Sequence, residues 1–392
     1  MAIKPMSHRN IKESQKNMEM TQQTVLKLFA GPGNPRNSEG AFLALDDQRL
    51  MYVYTRYCGT SWHDAEAADL AVRYSNDGGF TWSNRNDILI THGVHANVMS
   101  VSLLRLPSNR ILLLYLAKDC LREEAQGKVG IPEGDFCCIP QLRYSDDDGK
   151  SWSPEQPVIV IPGYYVVNND RLVRLRNGRL LLPVAHHRYR QRQNTREFGI
   201  QGVVDFYYSD DDGATWSQAP GSLFPAPDNR NGLQEPGVVE LVDGRLMAFC
   251  RTDRGCQYKA FSADGGENWS KAVPAPEFPS PLSPLSMKRD PFSNRLVAVW
   301  NDIDPRWKIR NEEPEHNWGR LPLVIAFSGD DGSSWTNHTI LGADPRRGYC
   351  YSALFFPAAD RILVGYNCGG HGKSCLQDHC IKSLTIKKKV ER

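Results

Sequence analysis

Five residues that lie far apart in the sequence carry side chains suited to proton transfer, nucleophilic attack or anion binding. They are Asp64, Glu235, Arg251, Arg320 and Tyr351. Carboxyl groups transfer protons when they are held beside a reacting group, and two guanidinium groups bind a carboxylate in a planar, bidentate manner. A tyrosine hydroxyl, with an ordinary pKa of about 10, is a poor nucleophile unless a neighbouring base shares its proton. Together these residue types predict a site for an acidic ligand, provided that the fold brings them together.

Eight further polar residues lie in similar positions, next to predicted strands, and we expect them to contact the ligand. They are Arg36, Glu39, His95, Asn97, Asp170, Arg171, His186 and His187. The three histidines have alternative roles, as packed residues, as contacts to ligand hydroxyl groups, or as a general base and acid. Rivals exist for two of the first five residues, namely Glu66 and Asp69 for Asp64, and Tyr349 for Tyr351.

The elements that must position these residues are six predicted β-hairpins. In each hairpin an arginine, followed by leucine or isoleucine, opens an apolar segment, and mostly turn-forming or polar residues precede the arginine. These segments are Arg49–Tyr54, Arg110–Tyr115, Arg179–Val184, Arg245–Cys250, Arg295–Trp300 and Arg361–Tyr366. Polar residues precede the first strand or follow the second strand of most hairpins.

A second repeat, S-x-D-x-G-x-x-W, which we call the Asp box, occurs five times. Its copies are Ser75–Trp82, Ser145–Trp152, Ser209–Trp216, Ser262–Trp269 and Ser328–Trp335. Its aspartate can accept hydrogen bonds from backbone N–H groups, and its glycine can adopt a positive φ. The tryptophan is then free to fold back as an apolar plug between neighbouring units. We therefore interpret the Asp boxes as turns that stabilise the fold, without a catalytic role.

The two repeats predict an all-β fold, a six-bladed β-propeller with five Asp-box turns and almost no long helix. A seven-bladed propeller is the alternative, but it requires a further hairpin that the sequence lacks. Thr24–Ala30 is predicted to pair with Ile381–Val390 or a nearby blade, because an open ring exposes two sheet edges. The hairpin ends of a propeller lie at one end of its channel, so we expect the candidate residues to share one cleft there.

Composition restricts the partners. The chain has 47 basic and 45 acidic residues, and this net charge of +2 gives no reason to expect a nucleic acid or an anionic membrane. No apolar run is long enough to span a bilayer. Residues 1–23 are polar and lack the apolar region of a secretory signal, so we interpret them as a flexible tail before a domain of residues 24–392.

Cysteine usage bears on location and on metal binding. The ten cysteines follow no short disulfide framework, which favours a cytoplasmic protein with reduced thiols; a secreted chain that has lost its signal is the alternative. Cys368, Cys375, His379 and Cys380 lack the paired C-x-x-C spacing of a zinc ribbon. The sequence therefore predicts no metal and no cofactor, and nothing in it favours a particular oligomeric state.

The Asp boxes on this hairpin pattern resemble the sialidase (neuraminidase) superfamily over nearly the whole predicted domain. Glu235, in the segment LQEPGVVEL, resembles the glutamate that assists the family's nucleophile, and Tyr351, in YSAL, resembles that nucleophile. By the same resemblance Arg251 and Arg320 bind the substrate and Asp64 is the acid/base. The resemblance implies an exo-acting, retaining glycoside hydrolase that removes a terminal sialic acid or related 2-keto sugar acid from a glycan.

The sequence departs from this family at one place. Exo-sialidases open their first blade with Arg-Ile-Pro, which supplies the first of three arginines around the sugar carboxylate. Here the region reads RNSEGAF from Arg36, and Ser38 or Glu39 lies nearest that slot. Either Arg36 reaches in from the loop or the third arginine is missing, and an ionised Glu39 repels a carboxylate. The departure weakens the expectation of sialic acid more than that of an α-glycoside of another sugar.

The chemistry of a 2-keto sugar acid supports the tyrosine role independently. Its carboxylate sits on the anomeric carbon and repels an anionic nucleophile, whereas a neutral tyrosine activated by a glutamate avoids this repulsion. We therefore expect Glu235 to hydrogen-bond Tyr351, with Arg251 and Arg320 on the floor of the same pocket. Two alternatives stay open: a lyase or hydrolase acting on uronic acids, with Tyr351 or a histidine as base, and a glycan-binding propeller with a degenerate site.

Overall fold

The computed structural model describes residues 18–119, 137–192 and 195–388, and most of their regular structure is β-strand. Its helices are one short 3₁₀ segment, Pro305–Trp307, and one four-residue α-helix, Pro314–Asn317. The predicted all-β class is therefore confirmed. None of the helices described has the length and apolarity that crossing a bilayer requires.

The strands follow one another as antiparallel meanders. Strand β1 (Met18–Leu28) precedes a four-stranded sheet made of β2 (Asn37–Ala44), β3 (Leu50–Tyr57), β4 (Ala68–Ser75) and β5 (Asp87–Ile90). A nine-stranded sheet follows, made of β6 (Asn97–Arg105), β7 (Ile111–Asp119), β8 (Cys137–Ser145), β9 (Gln156–Pro157), β10 (Tyr164–Val166), β11 (Val173–Arg174), β12 (Leu180–Arg192), β13 (Thr195–Ser209) and β14 (Ser217–Gln218).

The rest of the chain forms three more four-stranded sheets. The next two are β15 (Gln234–Glu240), β16 (Leu246–Arg251), β17 (Cys256–Ser262) and β18 (Val273–Pro279), and then β19 (Ser286–Arg289), β20 (Leu296–Asn301), β21 (Leu323–Ser328) and β22 (Thr336–Gly342). The last sheet joins β1 to β23 (Cys350–Ala358), β24 (Arg361–Asn367) and β25 (His379–Lys388).

All six predicted hairpins are present, because each predicted apolar segment forms the second strand of an antiparallel pair. The pairs are β2–β3, β6–β7, β11–β12, β15–β16, β19–β20 and β23–β24. The nine-stranded sheet contains two of them, joined by β10, which pairs with both β8 and β12. The fold is thus a β-propeller, and its count of six blades stays a prediction that the six hairpin units support.

The ring closes as predicted, by pairing of the first and last described strands. Thr24 lies opposite Lys382 and Leu26 opposite Ile381. The predicted boundary of the tail is wrong, however, because β1 already begins at Met18. The backbone of an edge strand pairs whatever its side chains, and Met20 adds an apolar contact to the core. Residues 1–17 lie outside the described part of the chain.

The Asp boxes act as turn staples, as predicted. In the copy that begins at Ser145, the serine Oγ accepts from Gly149 N at 2.8 Å, while Asp147 accepts from Ser151 N at 2.9 Å. The same contacts recur in the other four copies. The tryptophans pack between sheets; Trp269, for example, stacks on Phe206 of the preceding blade with ring centroids 4.1 Å apart.

Candidate active site

The five residues singled out first, namely Asp64, Glu235, Arg251, Arg320 and Tyr351, all line one cleft of about 370 Å³. This volume lies within the usual range of small-ligand sites. Asp64 comes from the loop between β3 and β4, and the others come from β15, β16, the approach to β21 and β23. The fold therefore gathers residues that are up to 287 positions apart in the sequence, as the hairpin pattern predicted.

Four residues that line the cleft have a backbone conformation that side-chain-bearing residues seldom adopt. Glu39, Ser100, Glu235 and Tyr351 have φ values of 51°, 60°, 45° and 54°. Each lies where the first strand of its hairpin shifts register against the second. Such bulges re-aim side chains, and each strained residue costs about 1–3 kcal/mol. Repetition of this strain around one cleft supports treating the cleft as the candidate functional site.

Glu235 is paired with an arginine. Its Oε1 lies 2.8 Å from Arg251 Nη1 in an ion pair, and its Oε2 is buried without a hydrogen-bond partner among the described residues. The predicted hydrogen bond from Tyr351 to Glu235 is therefore wrong for this structure. A carboxylate attracts a guanidinium cation more strongly than a neutral phenol, so Arg251 holds Glu235 in preference to Tyr351. Burial and the Glu235 charge nevertheless raise the pKa of the Tyr351 phenol, against the opposing charges of Arg320 and Arg251.

Arg320 is a buried cation that lines the cleft and hydrogen-bonds to the Cys350 and Cys375 side chains. Its residue is 4% exposed, and its Nη2 donates to the Leu282 carbonyl at 3.2 Å. Its Nε and Nη1, like Nε of Arg251, have no oxygen or nitrogen partner in the described protein. The guanidinium carbon lies 5.5 Å from the centre of the Tyr351 ring. Burying a charge without a counter-ion costs several kcal/mol, so an anion bound here is stabilised.

Asp64 lines the cleft while its arginine partner lies behind the wall. Arg36 is fully buried and donates to Asp64, to Glu39 at 3.3 Å and to Ser38 Oγ at 3.2 Å. It therefore does not line the cleft, where it was expected to bind the substrate. Burial opposes ionisation of Asp64, but 62% of its side chain is exposed, and the charges of Arg36 and Lys118 hold its pKa below the usual range.

Glu39 is the buried acid of this cleft. Its Oε2 accepts from Ser100 Oγ at 2.9 Å, and Arg36 donates to its Oε1. Burial raises the pKa of Glu39 to about 7, although the Arg36 charge acts in the opposite direction. The carboxyl group is therefore partly protonated at neutral pH, and its neutral form does not repel an anion.

Three other predicted contact residues support the site from outside the cleft. Asn97 donates to the Asp64 carbonyl at 2.6 Å and to the Glu66 carbonyl at 3.1 Å, and so holds the loop that carries Asp64. Asp170 pairs with Lys288, and Arg171 donates to the Leu285 carbonyl at 2.7 Å. None of these three residues lines the cleft, so the prediction that they contact the ligand there is wrong.

The histidines divide in the same way. His95 is bonded to Asp119 and Glu155, and His186 to Asp205, so neither lines the cleft. His187 does line it, with its Nδ1 3.2 Å from the Gly199 carbonyl oxygen. Burial lowers the pKa of His187 to about 4, so its imidazole is neutral at neutral pH.

The rival candidates lie elsewhere. The Tyr349 hydroxyl accepts from Asp344 N at 3.0 Å, and its ring is buried in the core beside Tyr366. Glu66 accepts from Thr60 N at 3.1 Å within its own loop. Asp69 bonds to His92. Tyr351 and Asp64 line the cleft, whereas their rivals do not.

Two tryptophans that the sequence motifs did not indicate also line the cleft. The rings of Trp62 and Trp318 lie 6.2 Å apart, and Arg320 lies 5.0 Å from the Trp318 ring. A signal was available, because five of the nine tryptophans belong to Asp boxes and these two stand alone in polar loops. Lys118, which also lines the cleft, donates to the Asp64 carbonyl at 3.2 Å.

Several known proteins resemble this chain in sequence. It is 34% identical to the anhydrosialidase of Macrobdella decora over 235 residues, which cover 54% of this chain and 27% of that protein. It is 26% identical to the sialidase of Paraclostridium sordellii over 242 residues, or 57% of this chain and 54% of that protein. The chain thus matches about a quarter to a half of the length of these relatives.

Solved structures share the fold at low identity. A protein of unknown function from Dyadobacter fermentans superposes with a TM-score of 0.68 at 18% identity, covering 94% of this chain and 99% of that one. The leech intramolecular trans-sialidase complexed with 2,7-anhydro-Neu5Ac superposes with a TM-score of 0.66 at 16% identity, covering 94% of this chain and 70% of that one. The intramolecular trans-sialidase of Ruminococcus gnavus superposes with a TM-score of 0.65 at 17% identity, covering 93% of this chain and 98% of that one.

The sequence profile described as "BNR repeat-like domain" matches residues 63–361, which is most of the chain. This span contains the five Asp boxes identified in the sequence. With these boxes, the propeller sheets and the sialidase relatives, the chain belongs to the BNR repeat-like family of the sialidase superfamily.

Proposed function

We propose that this chain is a sialidase-like exo-glycosidase that removes a terminal sialic acid or a related 2-keto sugar acid from a glycan. One observation carries the proposal: Arg251 and Arg320 line the same cleft as Tyr351, and Arg320 is a buried cation that forms no ion pair with a carboxylate of the described residues. A sugar carboxylate supplies the counter-charge that Arg320 lacks, and it competes with Glu235 for Arg251. The sialidase relatives support the same substrate class.

The contacts of Glu235 fit an activation step that depends on the substrate. A carboxylate that binds Arg251 competes with Glu235 for the same guanidinium, which is 2.8 Å from Glu235 Oε1. Glu235 then becomes available to accept the proton of Tyr351. The Tyr351 oxygen forms a bond to the anomeric carbon as the glycosidic bond breaks. Water later attacks the anomeric carbon and gives a proton to Asp64, which is ionised after protonating the leaving oxygen, while the glycosyl–tyrosine bond breaks and Glu235 returns its proton to the phenol.

Asp64 is the proposed proton donor to the leaving oxygen. In the free protein its ion pair with Arg36 keeps it ionised, but more than half of its side chain is exposed in the cleft. A sugar that covers this carboxyl group removes it from water and so raises its pKa. Glu39, with a pKa of about 7, instead shares its proton with the sugar carboxylate beside the two arginines.

A second candidate reaction is intramolecular transfer, in which a hydroxyl group of the same sugar replaces water. The indole rings of Trp62 and Trp318 form an apolar part of the cleft wall, which lowers the access of water. Three of the matches carry names that describe this reaction: the anhydrosialidase, the leech intramolecular trans-sialidase solved with 2,7-anhydro-Neu5Ac, and the intramolecular trans-sialidase of Ruminococcus gnavus.

The products formed from 3′-sialyllactose test the proposed function and separate its alternatives. We expect release of lactose together with free sialic acid or, for intramolecular transfer, 2,7-anhydro-Neu5Ac, measured by chromatography with mass detection. A parallel incubation with uronic-acid glycans tests for a lyase, which forms an unsaturated product that absorbs ultraviolet light. Absence of turnover on a panel of α-glycosides of 2-keto sugar acids would contradict the proposal and favour a binding propeller.

The pH dependence of substrate affinity tests the role of Glu39. Because its pKa is raised to about 7, Glu39 is neutral below that pH and repels a carboxylate above it. We expect KM for an acidic sugar to rise as pH increases from about 6 to about 8, while Glu39→Gln gives a flat KM profile over this range. A neutral sugar analogue serves as the control ligand. A KM that still rises with pH in the Glu39→Gln variant, as in the native protein, would contradict this role.

A further inference from the structure

Three metal-binding side chains meet at the base of the loop that carries Asp64. Their donor atoms, the Cys58 thiol sulfur, an Asp69 carboxylate oxygen and an imidazole nitrogen of His92, lie within 4.8 Å of one another. In the described ranges this is the one group of three or more such residues close enough to share an ion. We propose that Cys58, Asp69 and His92 form a zinc site, independent of the proposed glycosidase activity.

The three ligands stand on a rigid frame of neighbouring strands. Cys58 directly follows β3, Asp69 lies near the start of β4, and His92 follows β5. The two stems of the loop are joined by the bond from Cys58 N to the Ala67 carbonyl at 2.9 Å. Backbone position therefore fixes two of the ligands, and His92 is held by the bond from its own N–H to Asp69 Oδ1 at 2.8 Å.

The donor set favours zinc over the hard cations. Calcium and magnesium select oxygen ligands, whereas thiolate, imidazole and carboxylate together suit Zn²⁺ in a tetrahedral site. His92 Nδ1 lies 2.7 Å from Asp69 Oδ1, and zinc requires the two ligand atoms to separate to about 3.4 Å. Binding displaces the thiol proton to solvent and moves the imidazole proton to Nε2. Water completes the fourth position.

The local charges are compatible with a cation. Thiolate and carboxylate together carry two negative charges, which balance Zn²⁺. Arg56 lies opposite Asp69 in the strand register, and its charge acts on Cys58, but its Nη2 donates to the Gly33 carbonyl at 3.4 Å and forms no ion pair with Asp69 in the described structure. The complex of Zn²⁺ with these ligands is therefore neutral. Holding it at this half-buried position costs less desolvation free energy than burying an unpaired charge.

A metal at this point constrains the loop that reaches the cleft. It joins the start of the loop at Cys58 to its end at Asp69 and to the following connection at His92. Trp62 and Asp64 lie between these ligands and line the cleft. Zinc is therefore expected to reduce the motion of residues 58–67, whatever the cleft binds.

Metal titration of the full-length protein tests the site directly. After removal of metals with a chelator, we expect one equivalent of Co²⁺ to bind with a thiolate-to-cobalt charge-transfer band, which Zn²⁺ then abolishes. Cys58→Ser should remove the band and weaken Zn²⁺ binding at least about 10-fold. Cys256→Ser is the matched control, because Cys256 is also a half-buried free thiol but lies in another sheet.

Hydrogen exchange gives a second readout of metal binding, and the His92→Gln variant tests the site while keeping the Cys58 thiol. Zinc should slow amide exchange in residues 58–67 of the native protein but not in His92→Gln. If Cys58→Ser does not fold, His92→Gln decides the question by the same titration. Failure of the native protein to bind near one equivalent, or unchanged binding in a folded Cys58→Ser or His92→Gln variant, would overturn the proposal.

Discussion

Replacing Tyr351 with phenylalanine is expected to lower kcat by roughly 10⁴-fold, because removal of a nucleophile abolishes the covalent route. Substrate binding should stay measurable, since the arginines that hold the carboxylate are untouched. The phenol is buried and its pKa is raised, so its nucleophilicity depends on a base in the cleft. Rates and inhibitor affinity measured on the same sugar acid check both halves of this expectation.

Tyr349→Phe provides the matched control for this prediction. Tyr349 is two residues away on the same chain segment, yet its hydroxyl bonds to Asp344 N and its ring lies in the core. We expect this variant to lose stability without a comparable loss of kcat. Near-native activity of Tyr351→Phe would exclude the tyrosine mechanism, and His187, which also lines the cleft, would become the leading candidate for a lyase base.

Glu235→Gln is expected to lower kcat by roughly 10²–10⁴-fold, the usual contribution of a general base. The KM should stay unchanged or fall, because the amide frees Arg251 from its ion pair and so leaves it to the substrate carboxylate. Steady-state kinetics that separate kcat from KM test this split. A raised KM at unchanged kcat would assign Glu235 to substrate binding instead of base catalysis.

A control for Glu235→Gln is available on the same strand. Glu240, at the far end of β15, pairs with Arg176 and does not line the cleft. Glu240→Gln is expected to leave both kcat and KM within about twofold, because surface ion pairs contribute little. The pair of variants therefore distinguishes loss of a cleft carboxylate from a general effect on the blade.

The repeats of the sequence predicted most of the fold, because each repeat is a local unit with its own turn chemistry. The Asp boxes place serine, aspartate and glycine within a few residues, so their hydrogen bonds can be inferred from spacing. The start of β1 at Met18 could not be inferred, because a polar edge strand depends on its partner β25 and not on its own pattern.

The cleft residues could be predicted from their place at strand ends, but their pairing could not. Whether Glu235 bonds to Tyr351 or to Arg251 depends on bulges that orient the side chains in three dimensions. The same holds for Arg36, whose buried side chain faces Asp64 behind the wall. The ligands of the proposed zinc site are too widely spaced in sequence to form a recognised motif.

Covalent trapping tests the central claim, that Tyr351 attacks an acidic sugar, most directly. The protein would be incubated with 2,3-difluorosialic acid, a compound present as the covalent intermediate in a solved sialidase of the same fold. Mass spectrometry of the digested protein is predicted to show one added sugar on Tyr351, assigned by fragmentation against Tyr349 and absent from Tyr351→Phe. An adduct on another residue, or an unlabelled protein that still turns over a sialoside, would contradict the account.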